Sequence, residues 1–256
     1  MNAQMLAPQG PGPGYPGSHF FIKEKVVKND NIVSSHEIDN FCGITDQSLL
    51  YEIELTCVKN IYRKGQSIFI QGMPTAGIYF VQNGKIKIST ICENGREFIT
   101  EIVRSGGVIG LNQLFDDGVH RSCATCLEDT NIIFLKKYFA HYLIKNSNDF
   151  TAFCFKQMAY FTEEIEKKNL SKSLKNVRQR LAGLLIELNA KDGIKQTDGS
   201  WIFKLYLSRE NMASMIGTSC ETAIRFLTEL KNEQIIDLKG KDLIIKDQYR
   251  LWMFSN

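Results

Sequence analysis

Glu221 and Arg225 stand one helical turn apart in LSRENMASMIGTSCETAIR (207–225). Arginine can donate two hydrogen bonds to guanine O6 and N7, and glutamate can accept from cytosine N4 or orient the arginine. The same i, i+4 spacing also suits a solvated surface ion pair, so the elements around the pair must decide. Ser208 is placed to cap a first helix that buries Met212, Met215 and Ile216, Gly217 to end it with positive φ, and Ser219 to cap a second helix. On that second helix Ala223, Phe226, Leu227 and Leu230 share one face, and Glu221, Arg225 and Thr228 the opposite one. Downstream, IIDLKGKDLIIK (235–246) reads as a two-stranded hairpin turning at Lys239-Gly240-Lys241. Helix, turn, helix and basic hairpin together form the pattern of a DNA-binding winged helix. The expected base readers are Ser219, Cys220, Glu221, Ile224 and Arg225. The candidate phosphate contacts are Ser208, Arg209, Thr218, Thr222, Lys239 and Lys241.

Composition permits such a role without demanding it. The 256 residues suffice for two domains, and 43% hydrophobic content for a core in each. Net charge is only +3, but residues 171–256 hold 14 Lys plus Arg against 10 Asp plus Glu, an excess of 4. No run approaches the roughly 18 apolar residues of a membrane span, and the N-terminus lacks a basic segment followed by an apolar one. Seven cysteines, odd in number and scattered, suit reduced thiols in a cytoplasmic chain.

Four of the five prolines fall within residues 1–18, which read as a disordered tail. Residues 32–58 suit one or two short helices. From Tyr62 to about Leu135, short β-rich runs (IYFVQ, KIKIST, EFITEIV, NIIFL) alternate with glycines, and Asn83-Gly84 and Asn94-Gly95 carry the strongest hairpin signal. An antiparallel barrel or sandwich of about eight strands is expected. A long helix follows, with Phe150, Phe153, Cys154, Met158, Phe161 and Ile165 recurring every three to four residues. That seam suits packing against the β-domain or pairing with its twin in a homodimer. Asn176 then suits the N-cap of a further helix beyond a hinge. The organisation expected is a tail (1–18), a β-domain with short N-terminal helices (19–148), a long helix (149–175) and a DNA-binding domain (176–256).

A glycine-punctuated β-roll, a long helix and a winged helix-turn-helix, in this order, resemble the CRP/FNR family of bacterial transcription regulators. The resemblance covers roughly residues 40–247. It is carried by QNGKIKI (82–88), the stretch from VIG to HRS (108–122), VRQRLAGLL (177–185) and LSRENMASMIGTSCETAIR (207–225). It implies an α+β chain with an N-terminal β-roll of the cyclic-nucleotide-binding jelly-roll type, a long dimerisation helix and a C-terminal winged helix-turn-helix. It further implies a homodimer on a near-palindromic DNA site, an effector sensed in the β-roll, and RNA polymerase as a further candidate partner. Where cAMP-responsive members carry an arginine early in the recognition helix, this chain has Cys220, and Ile224 offers a thymine methyl an apolar contact.

The sensor residues depart further. Arg121-Ser122 match the family's phosphate clamp, but the ribose-binding glutamate is Leu111, and the adenine contacts on the long helix fall at Ile165 and Glu166. Leu111, Arg121, Ser122, Phe161 and Ile165 are therefore the candidate effector pocket, with cAMP not expected as its ligand; an apolar pocket lined by Phe153, Met158 and Phe161 is the alternative. No cysteine precedes Cys42, so the N-terminal cluster of an iron–sulfur sensor is missing, and strand alternation points Cys123 and Cys126 to opposite faces. His120 and His141 lack ligand-spaced partners and are expected at a surface or turn. The residues identify neither effector nor cofactor.

Two other functions compete. A small-molecule-binding module without a DNA role would leave the basic wing beside the Glu–Arg face unexplained. An enzyme would need a nucleophile–base pair, a carboxylate dyad, a phosphate-cradling loop before a helix or metal spacing, and none is legible.

Overall fold

The computed structural model describes residues 42–115 and 118–255. The expected tail of residues 1–18 and the part of the expected helices before Cys42 lie outside them. The described chain opens with helix α1 (Gln47–Thr56), whose cap Asp46 accepts from the backbone N–H of Ser48 and Leu49. Eight strands follow: β1 (Val58–Tyr62), β2 (Ser67–Phe69), β3 (Gly77–Asn83), β4 (Lys85–Ile91), β5 (Glu97–Arg104), β6 (Val108–Ile109), β7 (Cys123–Cys126) and β8 (Thr130–Lys136). They form two antiparallel four-stranded sheets, ordered β1-β8-β3-β6 and β2-β7-β4-β5. Period-two alternation explains the packing. Tyr79, Val81 and Ile132 face the second sheet's Ile86, Val103 and Cys126, while Ile78, Phe80, Ile133 and Leu135 face helices. The residues Gly77 to Val81 are accordingly buried throughout.

The two Asn-Gly pairs serve different ends. Asn94-Gly95 closes the β4–β5 hairpin, with Gly95 at φ +75° in the five-residue connection between Ile91 and Glu97. Asn83-Gly84 joins no hairpin, because β3 and β4 belong to different sheets. Gly84, at φ +110°, is a corner where an added Cβ would lie 2.4 Å from Thr130 Oγ1. Close approach to the start of β8 requires glycine there. The glycines of the β-region are thus not confined to hairpins.

Helices α2 (Lys137–Asn146) and α3 (Asn148–Leu174) follow. The 27 residues of α3 span about 40 Å. The single seam expected along it is instead divided. Phe150 and Cys154 are buried with α1 and α2 and Phe153 packs beside them, whereas Phe155 is 69%, Met158 38% and Ile165 57% exposed. The physical reason is the helix's length: the apolar core closes over its N-terminal end only, and further along α3 meets the β-roll across a cavity and through polar contacts such as Lys168 to Thr100 O.

Extended backbone at Lys175 separates α3 from α4 (Val177–Asp192), which starts with a reciprocal capping box between Asn176 and Gln179. Strands β9 (Ile194–Lys195) and β10 (Trp201–Lys204), helices α5 (Arg209–Ile216) and α6 (Cys220–Asn232), strands β11 (Ile236–Lys239) and β12 (Asp242–Ile245), and helix α7 (Gln248–Ser255) complete the chain. The expected two-stranded hairpin is part of a four-stranded sheet ordered β11-β12-β10-β9, because β10 pairs with β12 from Trp201↔Ile245 to Lys204↔Asp242. Leu181, Leu185, Phe203, Met212, Leu227 and Leu243 form its core, onto which Leu127 and Ile102 of the β-roll also pack. No helix among the described residues is long and apolar enough to cross a membrane.

Candidate nucleic-acid interface and sensor cavity

The α5–turn–α6 unit is held by three local devices. Ser208 accepts the Asn211 N–H at 3.1 Å and Ser219 that of Thr222 at 3.2 Å. Between them Gly217 is left-handed (φ 66°, ψ 53°). The Thr218 N–H donates to Ala213 O at 3.0 Å and the Gly217 N–H to Ser214 O at 3.3 Å, the paired bonds that terminate a helix at such a glycine. Ala223, Leu227 and Leu230 are buried. Glu221, Ile224, Arg225 and Thr228 are left exposed on the opposite face.

Glu221 and Arg225 form no ion pair, the solvated bridge that their spacing also allowed. The Glu221 carboxyl is held below the usual carboxylate range by its own backbone N–H and the Ser219 hydroxyl. The Arg225 guanidinium lies 5.1 Å from the centre of the Phe226 ring, so its fork of donors is not committed to a carboxylate. Cys220 behaves differently from the other expected base readers. Half-buried against the domain core, it donates from Sγ to Glu210 Oε1 at 3.8 Å. Burial, then Glu210 and Glu221, push its thiol up. Lys239 and Lys241 are exposed beside the β11–β12 turn, as is Ser208, while Arg209, Thr218 and Thr222 are half-buried. Arg209 Nη1 is buried without a hydrogen-bond partner among the described residues.

A cavity of about 260 Å³ lies between the β-roll and α3. Leu111, Ser122, Phe161 and Ile165 line it, whereas Arg121 is exposed and lies outside the lining. Of the alternative apolar set, Phe161 alone is in this cavity. Met158 lines a separate apolar hollow with Phe115 and Phe155, and Phe153 packs in the core beside Phe80. Glu166 is exposed and outside the lining, while Glu101 and Glu164 face the cavity with Lys168. Burial raises the Glu101 carboxyl, and Lys168 partly offsets that. The expectation missed Glu101 because a carboxylate inside a β-roll breaks the alternation that sequence reading relies on.

His120 corrects another expectation. It is 1% exposed and stacked on Phe69 with ring centroids 3.7 Å apart, and burial lowers its imidazole below the ordinary range. Neither ring nitrogen has a hydrogen-bond partner among the described residues. His141 is half-buried on α2. Cys123 and Cys126 are both buried, and Cys123 Sγ accepts the Gln71 N–H at 3.3 Å. Among the described residues no group of three or more metal-ligating side chains gathers.

Strand β5 connects the cavity and the winged domain. Glu101 faces the cavity, and β5 is the edge of its sheet. There the Ile99 N–H donates to Ser214 Oγ of α5 at 2.8 Å, and Ser214 Oγ donates to Glu97 O at 2.7 Å. Lys168 Nζ of α3 donates to Thr100 O at 2.8 Å. At the strand's far end Arg104 pairs with Asp192 at 3.2 Å and bonds the Tyr206 hydroxyl. Lys85 reaches Asp192 at 3.7 Å and lies over the Tyr206 ring.

Comparison with known proteins agrees with this arrangement. The profile of the cyclic nucleotide-binding domain matches residues 59–147, and that of the Crp-like helix-turn-helix domain residues 179–254. Electron transport regulator A of Shewanella oneidensis is 29% identical over 196 residues, covering 75% of this chain and 76% of that protein. The HTH-type transcriptional regulator ArcR of Staphylococcus epidermidis is 26% identical over 232 residues, covering 90% and 99%. Among solved structures, FixK2 of Bradyrhizobium japonicum aligns with a TM-score of 0.69 at 21% identity over 78% of this chain and 98% of its own. TTHA1359 of Thermus thermophilus, described as a transcriptional regulator of the CRP/FNR family, aligns with a TM-score of 0.62 at 20% identity over 77% and 97%.

Proposed function

Because the chain belongs to the CRP/FNR family of transcription regulators, we propose that it binds DNA sequence-specifically as a homodimer, reading bases with Glu221, Ile224 and Arg225. The observation that carries this reading is the exposed face of α6. It is anchored by Ser219 at its start and by a buried apolar stripe behind, and it presents an arginine bound to no carboxylate among the described residues. Lys239 and Lys241 at the wing tip supply phosphate contacts, which make affinity fall steeply with salt. Ser208, Arg209, Thr218 and Thr222 flank the two helix starts where phosphates approach. Cys220, turned toward Glu210, contributes packing more than base contact.

Dimerisation uses the outward stripe of α3. Phe155, Met158, Thr162, Ile165 and Asn169 recur at alternating spacings of three and four and are exposed, as a helix–helix seam requires. Two copies joined there carry their recognition helices to the two halves of a near-palindromic site. RNA polymerase is a further partner proposed on the family resemblance.

The cavity between β-roll and α3 is the effector site. Leu111 accepts no hydrogen bond from a ribose, Arg121 lies outside the lining, and Glu101 and Glu164 oppose a phosphate. A cyclic nucleotide is therefore not the ligand this cavity suits. An effector there acts through β5, which touches both the cavity and Ser214. No catalytic constellation is part of this reading.

Selection of bound sequences from random duplex DNA tests it. The expected product is an inverted repeat with half-sites about one helical turn apart. Failure to enrich any sequence at low salt would overturn the reading.

A further inference from the structure

A groove of about 530 Å³ lies against β5, the C-terminal half of α3, α4 and the end of α5. Its volume falls within the range of small-molecule sites. Six cations and two carboxylates line it. Lys167 is paired with Glu163 at 2.7 Å and Glu164 at 3.3 Å, and Lys191 with Glu187 at 2.6 Å. The other four cations, Lys168, Lys172, Lys175 and Arg180, have no ion pair among the described residues. Their bonds go to neutral groups. Lys168 donates to Thr100 O, Lys172 sits 4.0 Å from the centre of the Phe98 ring, and Arg180 donates to Ile216 O at 2.8 Å and Lys175 O at 2.6 Å.

Such an arrangement stores repulsion. Burial, then Arg180 and Lys168, lower the Lys172 ammonium from the ordinary lysine range. Phe98, Ile99, Leu184 and Ile216 give the same groove an apolar wall. Four cations without an ion pair, of which Lys168 is partly offset by nearby Glu101, beside an aromatic face match an aromatic molecule that carries several negative charges.

We propose that this groove binds an aromatic polyphosphate of nucleotide size, its phosphates held by Lys168, Lys172, Lys175 and Arg180 and its ring against the apolar wall. A molecule seated there would bridge β5, α3 and α4 across the hinge at Lys175-Asn176, and would thereby fix the winged domain relative to the β-roll. The binding itself does not rest on the DNA-reading assignment, because it is measured without DNA.

The experiment uses the full chain and the fluorescent probe trinitrophenyl-ATP, with ATP as competitor. Saturable binding of one probe per chain is expected, weakening with salt. The double variant Lys172→Gln/Lys175→Gln should weaken binding by roughly tenfold or more, about 1.4 kcal/mol. Lys64→Gln/Lys145→Gln, of equal charge change outside the groove, should bind as the parent does. If the first variant fails to fold, ATP should protect Lys172 and Lys175, but not Lys64 or Lys145, from acetylation in the parent protein. Absence of saturable binding would overturn the proposal. So would equal affinity in the groove variant, or unprotected lysines. Competition by random duplex DNA at the concentrations at which it binds the protein would make the groove a DNA-backbone surface and overturn it as well.

Discussion

Replacing Ser214 with alanine isolates the link between the β-roll and the DNA-reading domain. Ser214 Oγ makes two hydrogen bonds to the exposed edge of β5, accepting from Ile99 N–H at 2.8 Å and donating to Glu97 O at 2.7 Å. Each such bond contributes about 0.5–1.5 kcal/mol net, so the pair contributes about 1–3 kcal/mol to docking, a factor of about 5 to 150 in its equilibrium. Alanine is the better helix former by a few tenths of a kcal/mol, which offsets part of the loss in any global unfolding measurement. The denaturation midpoint is therefore a poor readout. Amide hydrogen exchange at Ile99 is a direct one, because this N–H lies on the strand's unpaired side and is protected by Ser214. The variant should exchange faster at Ile99 within that range, while the buried amide of Ile132, central in the other sheet, keeps its rate. Unchanged exchange at Ile99 would show that the contact is not populated in solution. Equal acceleration at both amides would show general destabilisation and refute the local reasoning.

Gly84→Ala should cost about 2–5 kcal/mol. Positive φ contributes about 1–2 kcal/mol and the clash with Thr130, whose backbone would lie 2.9 Å from the new Cβ, about 1–3 kcal/mol. Gly95→Ala, with open space around it, should cost only the first part, and the two urea midpoints check the difference. His120, whose imidazole is lowered by burial, binds fewer protons folded than unfolded, so its linkage makes stability rise with pH. That contribution is complete above about pH 6.5 and is lost as pH falls from there toward the folded-state value. His120→Phe should flatten this part of the stability–pH profile, and an unchanged slope would contradict the assignment.

What the sequence made legible follows from range. Caps and turn glycines act within a few residues, so Ser208, Gly217, Ser219 and Asn176 could be placed from local chemistry alone. The face of α6 could be placed for the same reason. Asn83-Gly84 misled because an Asn-Gly pair reports permitted backbone angles, not which strand lies alongside. Its true constraint is Thr130, brought near only by the fold. The wing's sheet partners were hidden because β9 has two residues and β10 four, too short for periodicity to register. His120 is buried by stacking on Phe69 from a distant strand, a contact no spacing encodes. The α3 seam was readable as apolar, but its division into an inner and an outer stripe depends on how far the apolar core reaches along the helix. Arg121-Ser122 matched a motif, yet only Ser122 of the two lines the cavity.

Arg225→Ala, measured by fluorescence anisotropy on the selected site and on random duplex of equal length and salt, tests the central claim most directly. Loss of base readout predicts a penalty of about 1–3 kcal/mol, roughly 5- to 150-fold, on the selected site, with much less on random DNA. Equal loss on both duplexes, or none on either, would contradict sequence reading by α6.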